Sequence, residues 1–118
     1  MTHTIEDLGT FKKITIRGNI DSLTSSRLLD SEISRLITQG FHHFVFDLQN
    51  TTYLDSAGIS IFIHCLCDVQ ENNGSIYIIA QDNQAFKVLE MVGINRLIKT
   101  YTREEDFLAE HGDRSPAA

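Results

Sequence analysis

Short apolar segments of strand-like composition alternate with longer segments of helical periodicity along most of the chain. This alternation restricts the possible folds more than any other feature. FVFDL, SIYIIA and RLIKTY are the strand-like segments, and amphipathic stretches separate them. Successive strands joined through helices pair in parallel, with right-handed crossovers. The sequence therefore predicts an α/β fold with a mixed, mostly parallel sheet and about four helices.

The N-terminal segment predicts an antiparallel hairpin at one edge of this sheet. HTIEDL and FKKITIRG are both strand-like, and Gly9 between them suits a turn. In the second segment, Ile14 and Ile16 alternate with polar residues, which indicates one buried face. Gly18 and Asn19 are expected to end that strand. The FVFDL segment is apolar on both faces, so we expect it to be a central strand covered on two sides.

Helical spacing of apolar residues predicts the inner faces of three helices. These faces comprise Leu29, Ile33, Leu36 and Ile37; Ile59, Phe62, Ile63, Leu66 and Val69; and Ala85, Val88, Leu89 and Val92. A fourth helix is expected near the C-terminus. There Thr102 and Glu105 have the spacing of a capping box, and Phe107 and Leu108 supply the apolar side.

Composition and charge argue against several classes of function. The 118 residues fit one domain, and the formal net charge of −6 is unfavourable for binding a phosphate backbone. No apolar run reaches the length of a membrane span, and the first residues lack the layout of a signal peptide. We therefore expect a cytoplasmic protein that binds no nucleic acid and does not insert into a membrane.

The segment TTYLDSAGIS, residues 51–60, is the candidate functional site. It lies between a strand and a helix, at the end of a parallel sheet where α/β proteins place their sites. Asp55 and Ser56 are both good N-cap residues, and the pattern alone favours a simple helix cap. A phosphate on Ser56 would also be favoured by the helix N-terminus. Gly58 would let a partner's backbone or a nucleotide approach closely.

Catalytic and metal-binding interpretations of this region have less support. A hydrolase nucleophile elbow requires glycine where the chain has Leu54, and nothing in the sequence aims a histidine at Ser56. His64 shares a helix face with Cys67, but structural zinc sites need four ligands and no second cluster stands out. Cys65 and Cys67 are two residues apart and point away from each other on a helix. We predict free thiols, no metal and no cofactor.

Several segments together resemble a STAS domain, in particular the single-domain anti-sigma-factor antagonists. The resemblance rests on GNIDSLTSSRL, FVFDLQNTTYLDSAGISIFI, NNGSIYIIA and AFKVLEMVGINRLIKTY, in this order and spacing, and DSAG is its most specific part. Asn19 stands where this family often has an acid. The resemblance implies a STAS domain over residues 1–110 and a disordered tail over residues 111–118.

The resemblance also implies a function and a set of site residues. Ser56 corresponds to the phosphorylated serine of the family, so that it would be both a cap and a switch. The partner-binding residues would be Asp21, Asp55, Ser56, Ala57 and Gly58. The unphosphorylated antagonist binds an anti-sigma factor that is also a serine kinase, which frees the sigma factor. Phosphorylation releases the antagonist, and a metal-dependent phosphatase resets it.

This interpretation predicts a regulatory binding protein and not an enzyme. Two alternatives stay open at the level of the sequence. One is a STAS accessory subunit of a membrane lipid-transport complex, in which residue 56 would not need phosphorylation. The other is a small hydrolase that uses Ser56 as its nucleophile.

Overall fold

The structure, a computed structural model, describes residues 2–20 and 24–111, without the side chains of residues 24–26. Six strands and four helices follow one another along these residues, with a short 3-10 helix before the last strand. In chain order they are β1 (Thr2–Leu8), β2 (Phe11–Ile20), α1 (Thr24–Thr38), β3 (His43–Asp47), β4 (Thr51–Leu54), α2 (Ser56–Glu71), β5 (Ser75–Ile79), α3 (Gln84–Val92), the 3-10 helix (Ile94–Arg96), β6 (Thr100–Tyr101) and α4 (Glu104–His111).

The sheet has the predicted mixed topology. Its main row runs β1-β2-β3-β5-β6, with β1 antiparallel to β2 and the other pairs parallel. The hairpin turn lies at residues 9–10, where Gly9 has a φ of 63°. The predicted α/β class and the N-terminal hairpin are therefore confirmed.

The strand β4 is the main departure from the sequence-based topology, which treated residues 51–54 as a loop. β2 does not end at Gly18 but continues to Ile20, with an irregularity between Gly18 and Asn19. Gly18 absorbs this irregularity with a φ of 87°. The extended β2 then pairs in parallel with β4. Glycine was taken as a strand end, whereas here it marks a bulge inside a longer strand.

Two apolar cores lie on opposite faces of the sheet. The larger contains buried side chains of α1, α2 and α3, and the smaller contains Phe107 of α4. The strand β3 supplies both, because Phe44 and Phe46 join the larger core and Val45 joins the smaller one. This confirms the prediction of a central strand covered on two sides.

The inner faces of the helices agree with the sequence only in part. In α1, Leu29 and Ile33 are buried as predicted. In α2, the buried residues include Ile61 and Cys65, which the sequence analysis did not assign to the inner face of this helix. Val92 was expected inside but is 51% exposed, because α3 ends there and the chain turns at Gly93.

The helix α4 is held to the smaller core by aromatic and charged contacts. Lys13 of β2 pairs with Glu104, at the start of the helix. At its other end, His111 packs on Tyr77 with ring centroids 4.5 Å apart. The predicted capping box is absent in this form, since the Thr102 hydroxyl donates to the Asp106 carboxylate instead.

The predicted boundary of the tail also needs a correction of one residue. His111 was assigned to the tail but is the last residue of α4. Residues 112–118 lie outside the described part of the chain. Within the described residues, no helix combines the length and apolar character needed to cross a membrane.

Candidate functional site

The candidate site is the turn from β4 into α2. β4 ends at Leu54 and α2 begins at Ser56, so that one residue separates strand from helix. The backbone N–H of Asp55 donates to the carbonyl of Ile20 over 3.2 Å, which ties the turn to the end of β2. The turn therefore lies at the carboxyl ends of two neighbouring parallel strands, where α/β sheets place functional groups.

Asp55 is the N-cap of α2. One of its carboxylate oxygens, Oδ1, accepts hydrogen bonds from the N–H groups of Ala57 at 2.9 Å and Gly58 at 3.4 Å. Ser56 is therefore the first residue of the helix and not its cap. The expectation that Ser56 would cap the helix is wrong, because the preceding acid occupies that role and already accepts from two of the first N–H groups.

Ser56 is exposed at the start of the helix. Its backbone carbonyl accepts a 3.0 Å hydrogen bond from the hydroxyl of Ser60, one turn further along. Since Asp55 supplies the cap, the Ser56 hydroxyl is not needed to begin α2. Ser56 is therefore an exposed residue at the start of a helix whose cap is supplied by its neighbour.

Gly58 is buried, which corrects the reason given for this glycine from the sequence. A Cβ at this position would collide with Cδ1 of Leu54 and lie 2.9 Å from Cγ2 of Ile20. Gly58 therefore allows close packing of the helix on the strands and does not present open backbone to a partner. Ala57 is half-buried, and Asp21 lies outside the described residues.

The first residues of α3 hold the other side of this turn, which the sequence analysis missed. Asn83 caps α3 by accepting from the N–H of Phe86, and its amide nitrogen also donates to the carbonyls of Leu48 and Thr51. Gln84 accepts a 3.1 Å hydrogen bond from the N–H of Leu54 through Oε1. No periodicity signals such contacts, which join residues about thirty apart in the sequence.

The histidines available for catalysis lie elsewhere. His43 is hydrogen-bonded to the hydroxyl of Ser75 at 2.8 Å, and His64 faces Asp30 at 3.8 Å. Among the described residues, no histidine forms a hydrogen bond with Ser56, so that this part of the chain contains no catalytic triad around it. Nor do residues 2–20 and 24–111 contain a group of three or more His, Cys, Asp or Glu side chains that could hold a metal ion.

The two thiols point to opposite sides of α2, as their spacing predicts. Cys65 is buried and Cys67 is exposed, and both are free. Burial raises the pKa of Cys65 to about 12, with smaller contributions from Asp68 and Asp30. A thiol with so high a pKa stays protonated at neutral pH and is a poor nucleophile or metal ligand.

Comparison with known proteins gives the family. The STAS domain family matches residues 3–107, which is most of the chain. The chain belongs to the STAS domain family. The resemblance to a STAS domain that the sequence motifs indicated is thereby confirmed.

The curated proteins and solved structures that are similar to this STAS domain include anti-sigma factor antagonists. It is 23% identical over 88 residues to the anti-sigma-B factor antagonist of Staphylococcus aureus (strain NCTC 8325 / PS 47), covering 75% of this chain and 81% of that protein. The crystal structure of an anti-sigma factor antagonist from Mycobacterium paratuberculosis superposes with a TM-score of 0.81 at 20% identity, over 92% of each chain.

A third relative, SpoIIAA, has been solved in two states. The unphosphorylated form of this anti-sigma factor antagonist matches with a TM-score of 0.79 at 18% identity, over 94% of this chain and 97% of that one. The phosphorylated form, from Bacillus, matches with a TM-score of 0.72, over 90% and 96% of the two chains. At these identities the solved structures establish the fold of this STAS domain.

Proposed function

We propose that this STAS domain is an anti-sigma-factor antagonist whose binding is controlled by phosphorylation of Ser56. The observation that carries the proposal is an exposed Ser56 hydroxyl at the start of α2, on a turn whose cap is supplied separately by Asp55. The names of the relatives support the partner class, since both the staphylococcal and the mycobacterial proteins are described as antagonists of anti-sigma factors.

In this proposal the unphosphorylated domain binds an anti-sigma factor that is also a serine kinase. Binding frees the sigma factor, and transfer of phosphate from ATP to Ser56 ends the interaction. A metal-dependent serine phosphatase then restores the binding form. The domain itself acts as a cytoplasmic regulatory protein without catalytic activity or cofactor. Asp55, Ala57 and Gly58 shape the contact surface, and Asp21, which lies outside the described residues, also contributes to partner binding.

Electrostatics explain why a phosphate on Ser56 would act on the complex more than on the fold. A phosphoserine adds about −1.5 to −2 charges. The helix dipole favours this charge by about 0.3–1 kcal/mol. Asp55 works against it, because its carboxylate is adjacent and already accepts from the N–H groups of Ala57 and Gly58. The two effects oppose each other, so the change in the free energy of unfolding is small.

In the complex with the partner, no favourable term offsets the cost of the phosphate. A partner that covers the start of α2 would have to bury the phosphate beside the carboxylate of Asp55. A buried charge left without its partner typically costs about 2–5 kcal/mol. This corresponds to a loss of affinity of roughly 30-fold or more.

The test is a pull-down with the unmodified chain, followed by mass spectrometry of the captured proteins and of the chain after addition of ATP. We expect an anti-sigma factor with kinase activity among the captured proteins, and phosphate on Ser56. Ser56→Ala should still bind the partner but accept no phosphate. Ser60→Ala is the matched control, since Ser60 is also exposed and one turn away on the same helix.

Two results would contradict the proposal. One is phosphate on Ser60, Thr51 or Thr52 in place of Ser56. The other is equal partner affinity for the phosphorylated and unmodified chains. Recovery of membrane-transport subunits in place of an anti-sigma factor would favour the accessory-subunit alternative, and hydrolysis of a generic ester that Ser56→Ala abolishes would favour the hydrolase.

A further inference from the structure

The strand β4 has one edge paired with another strand and one edge covered by side chains. On the first edge it pairs with β2. On the second edge it faces α3, where the carbonyl of Thr51 accepts from the Asn83 side chain at 3.2 Å and the N–H of Leu54 donates to the Gln84 side chain at 3.1 Å. Side-chain amides thus take the place of a neighbouring strand and satisfy backbone groups that would otherwise lack partners.

The side-chain amides of Asn83 and Gln84 bind different parts of β4. Asn83 binds the beginning of β4 and the loop before it, since its other acceptor is the carbonyl of Leu48. Gln84 binds the last residue of β4, two positions before Ser56. Gln84 is therefore the contact from α3 that lies nearest in sequence to the candidate phosphorylation site.

A path of direct contacts leads from Gln84 to the first turn of α2. The N–H of Leu54 is fixed by Gln84, and the side chain of Leu54 packs against Gly58. From the opposite side, the carbonyl of Ile20 fixes the N–H of Asp55. Two successive peptide groups are thus held, Tyr53–Leu54 by Gln84 of α3 and Leu54–Asp55 by Ile20 of β2, and together they fix the turn that leads into Ser56.

We infer that Gln84 is a positioning residue for the phosphorylation of Ser56. This inference rests on the proposed function. Gln84 accepts the Leu54 N–H and thereby holds the turn in the geometry that presents the Ser56 hydroxyl to the kinase. Transfer of a phosphoryl group depends strongly on the placement of the attacking hydroxyl, so a loosened turn slows the reaction although Gln84 does not touch the reacting atoms.

The experiment compares two side chains of similar size in the full chain. Gln84→Met removes the strong acceptor, whereas Gln84→Glu keeps an oxygen at the same place. Amide hydrogen exchange at Leu54 is measured by NMR, and phosphorylation of Ser56 is measured with ATP and the kinase captured by the unmodified chain. Phosphorylation of both variants is measured at raised salt, which screens the charge that Gln84→Glu adds.

For Gln84→Met we expect faster exchange at Leu54, on the order of tenfold. We also expect kcat/KM for phosphorylation to fall on the order of tenfold, mainly through kcat, because the defect is in orientation. The melting temperature and the exchange of the other sheet amides should change little. For Gln84→Glu, both Leu54 exchange and kcat/KM should stay within a few-fold of the wild-type values.

Three outcomes would overturn the inference, and the first two of them leave the proposed function intact. Wild-type phosphorylation kinetics in Gln84→Met, with Ser56 labelled as expected, would remove the role of Gln84 and leave the switch intact. Equal impairment of Gln84→Met and Gln84→Glu would show that the acceptor is not what matters. Absence of phosphate from Ser56 in the wild-type chain would remove the proposed function and the inference together.

Discussion

The side chain of Leu54 occupies the space that a Cβ on Gly58 would need. The first turn of α2 therefore packs directly on the end of β4. Ile20 closes the same contact from β2, since its Cγ2 would lie 2.9 Å from that Cβ. The helix that carries Ser56 is therefore positioned by close packing at its third residue, the buried Gly58, and not only by the hydrogen bonds of its cap.

Gly58→Ala should destabilise the protein by about 1–3 kcal/mol, as overpacking typically does. Without the collision the substitution would stabilise a helix by about 1 kcal/mol, so the sign of the change is diagnostic. Urea unfolding measures it. Leu54→Ala as a second substitution removes the colliding group, and Gly58→Ala should cost less in that background. A Gly58→Ala protein at least as stable as wild type would contradict the packing.

Asp55→Ala should cost about 0.5–2 kcal/mol in the free energy of unfolding, because it removes the N-cap of α2. Asp55→Asn keeps a capping oxygen and should cost less. Ser56→Ala should be nearly neutral, since Ser56 follows the cap and its hydroxyl does not begin the helix. The same urea titration compares the three variants. If Ser56→Ala proved as costly as Asp55→Ala, the assignment of the cap would be wrong.

One thiol of the native protein should react rapidly with a disulfide reagent at pH 8, and the second only after denaturation. Cys67 is exposed, whereas Cys65 is buried and its pKa is raised to about 12 by that burial and, less, by Asp68 and Asp30. The reactive species is the thiolate. Cys67→Ser should abolish the rapid phase. Two rapid equivalents in the wild type, or zinc at equal molar ratio in protein purified without added metal, would refute the expectation.

The contribution of the contact between α4 and β6 to stability should decrease at both acid and alkaline pH. Burial, followed by the hydrogen bond to Glu110, raises the pKa of Tyr101, and the hydrogen bonds from Tyr101 and Lys99 lower the pKa of Glu110. His111 and Tyr77 also face this contact. The folded protein holds the Tyr101 proton more tightly than the unfolded chain, so this contribution is complete below pH of about 10 and is lost as the pH rises further.

The contribution of Glu110 to stability depends on pH in the opposite direction, because its pKa is lowered in the folded protein. Its contribution is present above the usual glutamate pKa of about 4.3 and is lost as the pH falls through the lowered folded value. Melting temperature measured as a function of pH should therefore decline at both ends. Tyr101→Phe should flatten the alkaline decline, and Glu110→Gln the acid decline. An unchanged alkaline decline in Tyr101→Phe would show that other groups cause it.

Periodicity predicted the elements whose residues are fixed by local pattern and burial. Burial follows the predicted pattern in three elements. It includes Ile14 and Ile16 in β2, covers both faces of β3 and includes Leu29 and Ile33 on the inner face of α1. Gly9 was also predicted as a turn residue, and its positive φ is one that favours glycine.

The remaining features depend on contacts between distant parts of the chain, which no local pattern contains. β4 is only four residues long and polar in the middle, and it exists because β2 is extended enough to pair with it. The burial of Gly58 depends on Ile20 and Leu54, and the role of Gln84 depends on where α3 lies. For the same reason the sequence indicated Asp55 and Ser56 as candidate caps but could not decide between them, and only the structure assigns the cap to Asp55.

One edge of the ten-residue strand β2 pairs with β1, and the other edge pairs with two strands in succession, β3 along its first half and β4 along its last residues. The segment that carries the candidate site is consequently a side branch of the sheet, outside the row β1-β2-β3-β5-β6. Substitutions in the surface of this branch can accumulate without breaking any strand pair of that row. Domains built on this plan can therefore differ in the exposed residues around this turn while they retain one scaffold.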